Sequence, residues 1–191
     1  MGTPFRSARE VARTREAQGL WLDHAIVRED DLEWLQPIER LTLWNVRLPD
    51  GFLAKLPNLW WLDLRGGALA DIRIAFGASG LKYLAVNQVR RLSDFSAITS
   101  FTQLRSLSLY GLSKVVRLPS LEGLFNLERV EVGQMKSLIS LAPILDTPNL
   151  KELLLIRKVS VSGVDIHRIT HHPSLQRFDW VAEDVPNRVW M

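Results

Sequence analysis

Apolar residues recur along the chain in one figure, L-x-x-L-x-L. It is clearest at Leu104/Leu107/Leu109, Leu127/Val130/Val132 and Leu150/Leu153/Leu155. Upstream copies stand at Ile38/Leu41/Leu43, Leu59/Leu62/Leu64 and Leu81/Leu84/Val86. A degenerate copy at Ala17/Leu20/Leu22 opens the series and Leu175/Phe178/Trp180 ends it. First positions therefore fall at 17, 38, 59, 81, 104, 127, 150 and 175, at intervals of 21 to 25 residues. Such near-constant spacing is the mark of a repeat architecture. Within each copy the side chains alternate, which predicts a short strand with positions 4 and 6 turned inward and positions 3, 5 and 7 outward.

Between the strands the period changes from two to three. Val89, Leu92, Phe95, Ile98 and Phe101 follow one strand, and Met135, Leu138, Leu141 and Ile144 follow another. One apolar residue in three suits a returning arm of 3₁₀ turns and irregular coil. Asn58, Asn126, Asn149, Gln103 and Ser174 stand just before the next strand, with Pro57, Pro148 and Pro173 ahead of three of them. These residues end one arm and start the next strand. A repeat of this kind buries its stripe only against its neighbours, so stacking makes the core. The strands are then parallel and joined by right-handed crossovers.

On these residues the chain resembles the leucine-rich-repeat family, in the short form of internalin-like and other free-standing bacterial members. The resemblance implies an α/β fold: a right-handed solenoid with a curved parallel sheet on its concave face and 3₁₀ or irregular arms on its convex face. It covers residues 17–181, about eight repeats in a single domain. The family often carries Asn at position 9, whereas this chain has Val46, Gly67, Val89, Leu112, Met135 and Lys158 there. The inner turns must therefore satisfy their backbone groups by other means.

Both ends of a solenoid need lids. Thr3 and Pro4 read as N-cap and first helical residue. Phe5, Ala8, Val11 and Ala12 would form the buried stripe of a capping helix over 1–16, with its arginines solvated. Residues 182–191, with Val185, Val189, Trp190 and Met191, would cover the last repeat.

Composition changes this picture only in places. Leucine makes up 32 of 191 residues, about one in six. The formal charge of +3, from 24 basic and 21 acidic residues, is too slight to mark a dedicated nucleic-acid binder. No cysteine is present, which removes disulfides, zinc–thiolate sites and a thiol nucleophile and leans toward a reducing compartment. The first residues show no secretory h-region and no apolar run is long enough to span a membrane, so a cytoplasmic protein is expected.

Chemistry is sought on the outward strand positions. Both tyrosines, Tyr83 and Tyr110, fall there, as do Trp21, Trp44 and Trp61, with Arg40, Asp63 and Arg65 beside them. Trp, Tyr and Arg are enriched at interface hot spots, which points to a partner-binding concave face. The rings could instead pack on one another and only stabilise the sheet. Leu154 and Ile156 form a second outward apolar pair. No phosphate loop, nucleophile elbow or H-E-x-x-H motif is present. Asp63 and Glu131 sit too many strands apart for a carboxylate pair. His167 and His171 have helical i, i+4 spacing, but two histidines do not close a metal site. The expectation is a non-enzymatic, cofactor-free module that binds a partner protein. By its resemblance to small free-standing bacterial repeat proteins, a toxin-neutralising immunity role is one form of it. Nucleic-acid binding through the concave Arg and aromatic columns, and self-association, are the alternatives; the mixed charge of those columns disfavours nucleic acid.

Overall fold

The structure, a computed structural model, describes residues 3–15 and 18–181. Ala17 and the tail 182–191, expected to open the first repeat and to cap the last, lie outside the described residues.

The recurring figure becomes a ladder of parallel strands: β3 Gly19–Asp23, β5 Arg40–Trp44, β6 Trp61–Arg65, β7 Tyr83–Asn87, β8 Ser106–Tyr110, β9 Arg129–Met135, β10 Glu152–Val159 and β11 Arg177–Val181. Each pairs with the next in one sheet. The register follows the repeat: Leu41, Leu62, Leu84, Leu107, Val130 and Leu153 stand opposite one another in succession. Positions 4 and 6 of the central strands are closed to solvent, as are the every-third residues of the arms from Val89 to Ile144. The arms contain 3₁₀ turns at Glu29–Asp31, Leu53–Lys55, Arg73–Ala75 and Ser96–Ser100, and the helices α2 Leu32–Leu35, α3 Ala142–Leu145 and α4 Gly163–Thr170.

Two devices replace the missing position-9 asparagines. The first is at position 8, where the chain turns through a left-handed conformation in repeat after repeat: His24, Asn45, Gly66, Gln88, Gly111, Gln134 and Arg157 all have φ between 49° and 68°. That turn aims each N–H at the next repeat. His24 N donates to Trp44 O, Asn45 N to Arg65 O, Gly66 N to Asn87 O, and Gln88 N to Tyr110 O, all at 2.8–2.9 Å. The second is at the other end of the strands. Asn58, Asn126 and Asn149 donate their side-chain N–H groups to the carbonyls of Gln36, Thr102 and Phe125 in the preceding repeat, at 2.8–3.0 Å.

The N-terminal lid differs from expectation. Helix is confined to α1 Ala8–Val11, between β1 Arg6–Ser7 and β2 Arg13–Arg15. β1 pairs in parallel with β4 Ala25–Ile26, and Arg6 N donates to His24 O at 3.0 Å. β2 pairs antiparallel with β3 and so covers the first edge of the sheet. An open sheet edge offers a row of backbone hydrogen bonds. A helix starting at Thr3 would leave those groups unpaired, and strand pairing on both sides prevails.

Candidate functional site

The parallel register sets the outward side chains in three rows across the sheet. Position 3 runs Arg40, Trp61, Tyr83, Ser106 and Arg129; position 5 runs Trp21, Thr42, Asp63, Ala85 and Ser108; position 7 runs Asp23, Trp44, Arg65, Asn87 and Tyr110. Adjacent strands are ~4.8 Å apart, close enough for rings to stack. Trp61 and Tyr83 do so, with centroids 5.0 Å apart and planes 6° from parallel. Trp21 and Trp44 form a second stack at 5.8 Å. The guanidinium of Arg40 lies 5.4 Å from the Trp61 ring. Trp21 is approached by two guanidiniums, Arg15 at 3.9 Å and Arg65 at 5.3 Å.

Asp63 was expected to stand open on this face. It points outward but is 1% exposed, beneath the surrounding side chains. Its Oδ2 accepts from Arg65 Nε at 2.6 Å, while its Oδ1 has no hydrogen-bond partner. Burial pushes its carboxyl above the ordinary range, outweighing the pull of Arg65. Burial, reinforced by the charge of Asp63, also raises the Tyr83 phenol. Asp63 therefore anchors Arg65 and does not itself meet solvent.

Two of the outward rings lie against glycines. Gly66 has φ 58°, and a Cβ there would come within 2.9 Å of Trp44 Nε1. A Cβ on Gly133 would collide with the Tyr110 ring. Each ring lies over a neighbouring repeat's glycine because no other residue leaves it room. Trp44 keeps the largest opening to solvent, 36%.

Toward the C-terminal end the face changes character. Arg129 pairs with Glu152 at 3.7 Å and Arg177 with Asp179 at 2.7 Å. Ser108 Oγ donates to Glu131 Oε1 at 3.1 Å. Leu154 and Ile156 are half-buried, and Leu154 lines a shallow hollow with Arg129, Glu152, Arg177 and Asp179.

Of the residues singled out from sequence, Trp21, Arg40, Trp44, Trp61, Asp63, Arg65 and Tyr83 come together in the N-terminal half of the sheet, and Tyr110 stands apart over Gly133. Sequence reasoning missed β2, whose Arg15 completes the cluster. Its signal was the alternation Arg13-Thr14-Arg15 directly before Gly19, which a helical reading absorbed. On α4, His167 and His171 stack at 4.3 Å, and His171 Nδ1 lies 2.9 Å from the His167 carbonyl oxygen. Among the described residues no three potential ligands gather there. Among the same residues, no helix is long and apolar enough to cross a membrane.

This architecture is a leucine-rich-repeat solenoid. Solved structures that share it include two internalins. An internalin C2 (inlC2) from Listeria monocytogenes superposes with a TM-score of 0.58 at 20% identity, over 86% of this chain and 74% of that one. An internalin (inlF) from the same organism gives 0.57 at 19%, over 86% of this chain and 48% of that one, so this chain spans about half of that protein. No protein-family model and no curated protein sequence matches the chain.

Proposed function

We propose that the chain is a non-enzymatic binding protein that holds a partner protein against the N-terminal half of its concave sheet. The observation that carries this reading is the asymmetry of the face. Arg129 and Arg177 are neutralised by carboxylates of the same face. Arg15, by contrast, lies on Trp21 and makes no ion pair among the described residues, although its charge is felt by buried Asp63. Arg65 is held in place by buried Asp63. Half-buried aromatic rings flanked by oriented guanidiniums are what interface hot spots are made of. The likeness to internalins agrees with a binding role at the level of fold. An immunity-type role is one form of this reading, resting on resemblance at the level of fold, and the cysteine-free composition supports a reducing, cytoplasmic setting for it.

The test uses whatever protein co-purifies from the native host. Arg15→Glu changes an exposed side chain and is expected to abolish retention of the partner, while losing its contact with Trp21 lowers Tm by no more than about 2–4 °C. Tyr83→Ala removes one anchor and is expected to weaken binding by about 2 kcal/mol, some thirtyfold. It also removes the stack on Trp61, worth about 1 kcal/mol, so Tm falls by about 2–4 °C. Full retention of the partner by both variants means that the rings serve only the sheet.

A further inference from the structure

The turns that follow the strands form a surface separate from the concave face. Residues 88–94, 111–117, 134–140 and 157–161 form this surface in four consecutive repeats, the last two segments beginning within the ends of β9 and β10. Their basic residues are Arg90 and Arg91, Lys114 and Arg117, Lys136, and Arg157 and Lys158. Their single acid is Asp94, whose carboxylate already accepts from Ser96 N at 2.7 Å. All seven basic side chains are exposed, and none reaches a carboxylate among the described residues. Some basic groups elsewhere do find partners, as Lys55 does with Glu29 and Lys151 with Glu128, each at 2.7 Å. Of the chain's 24 Lys and Arg, these seven removed leave 17 against 21 Asp and Glu. The positive charge is thus gathered on one edge of an otherwise net acidic chain.

Two exposed aliphatics sit within this edge. Val116 is 48% exposed and Ile139 56%. Ile139 N donates to Val116 O at 3.1 Å, which sets the two side chains in adjacent repeats next to each other. The four turns contain no Trp, Tyr or Phe. Single-stranded nucleic acid is held by aromatic stacking, and a bilayer interface by aromatic anchors. Neither is provided here.

We propose that this edge is a second binding surface whose occupant is an acidic polypeptide segment carrying aliphatic side chains. Its carboxylates meet the arginines and lysines, and its aliphatic residues lie on Val116 and Ile139. A shallow groove leads from Arg90 and Ser113 over Gln88 and Gly66 to Trp44, so a segment seated on the edge has an open path to the concave rings. The proposal stands without that path and without the concave reading.

The test measures anisotropy of a labelled peptide of alternating Glu and Val, about ten residues long, enough at ~3.3 Å per residue to cross four turns ~4.8 Å apart. The protein is the full chain, with its fold checked by circular dichroism. The triple variant Lys114→Glu/Arg117→Glu/Lys136→Glu is expected to weaken binding by about tenfold or more. A control with equal charge change at paired sites, Lys55→Glu/Arg73→Glu/Lys151→Glu, is expected to weaken it by less than about threefold, because scattered exposed charges are screened. Val116→Ser/Ile139→Ser is expected to weaken the Glu/Val peptide and leave a Glu/Ser peptide unchanged. Equal losses in the two triple variants would reduce the effect to net charge and overturn the proposal. Tighter binding of an oligouridylate, or of phosphatidylserine vesicles, than of the Glu/Val peptide would overturn it in favour of nucleic acid or membrane.

Discussion

Asp31 and Asp63 are 6% and 1% exposed, yet their surroundings act on them in opposite directions. Burial would raise both. At Asp31 it is outweighed by three donors: Trp34 Nε1 at 2.9 Å, the Arg28 N–H at 3.0 Å and Arg9 Nε at 3.1 Å. The carboxyl is held below its ordinary range. Such a group contributes stability that is present above the unfolded value, ~3.9, and is lost as pH falls through the folded one. Asp31→Ala is therefore expected to cost about 1–3 kcal/mol at pH 7, since it strips the donors joining the N-terminal segment to the first arm. The cost should shrink in acid. At Asp63 burial prevails over the pull of Arg65 and, more weakly, Arg15, and Oδ1 is unpartnered. Its folded value lies above the unfolded one, so the sign reverses: its contribution is present below the unfolded value and lost as pH rises through the folded one. Asp63→Asn keeps an acceptor for Arg65 and removes the charge. Its stability at pH 7 is expected to equal or exceed the parent's by up to about 1 kcal/mol, or about 2–4 °C in Tm, with no gain in acid. Denaturant melts at both pH values check the pair. A clear loss for Asp63→Asn at pH 7 would show that the ion pair with Arg65 outweighs the desolvation.

At the scale of the element, Leu107 and Ser108 are adjacent on β8, and Leu107 is fully enclosed while Ser108 points to the concave side. Leu107→Ala is expected to destabilise by about 2–5 kcal/mol by opening a cavity. Ser108→Ala removes one partly exposed bond to Glu131 and is expected to cost about 1 kcal/mol or less. Equal denaturation midpoints would contradict the inward and outward register. That register was legible in the sequence because its cause is local: alternation in the strand, a three-residue period in the arm, and a constant interval between copies. The burial of Asp63 was not legible. It depends on rings at Trp61 and Tyr83 and on the reach of Arg65, which are facts of neighbouring strands and rotamers. The position-8 turn was equally hidden, because His24, Asn45, Gln88, Gln134 and Arg157 share a backbone conformation but no single residue type. The N-terminal lid was misread because Thr3-Pro4 is a valid local helix start that loses to pairing with residues far along the chain. Gly133 shows how an element can depend on one such distant fact. Gly133→Val would displace the Tyr110 ring, and the expected result is a shifted near-ultraviolet signal with a loss of stability of about 1–3 kcal/mol from overpacking.

For the molecule as a whole, the sheet connects each repeat only to the next, in the order β2-β3-β5-β6-β7-β8-β9-β10-β11. Stability in such a stack is a sum of repeat and interface contributions, so opening can begin at an end without breaking the centre. Among the described residues the two ends differ. At the first edge β2 closes the ladder in antiparallel register with β3. At the last, β11 pairs with β10 alone among the described strands, and it carries Arg177 and Asp179 outward. Charged residues on an edge strand discourage further pairing. Opening is therefore expected to start at the C-terminal end and advance inward. Native-state hydrogen exchange resolved by residue checks this. Amides of β11 should exchange through the smallest openings, those of β10 and β9 through larger ones, and those of β6, β7 and β8 only through global unfolding. Leu107→Ala, placed in the middle of the stack, should lower protection in β7, β8 and β9 together while leaving the opening of β11 unchanged. A single opening free energy shared by every strand from β3 to β11 would show instead that the solenoid unfolds as one unit. The aromatic half of the concave face would then be no more firmly held than the paired-charge half. Graded protection would place Trp61 and Tyr83, on β6 and β7, on the most persistent part of the molecule, where a binding surface stays formed while the far end frays.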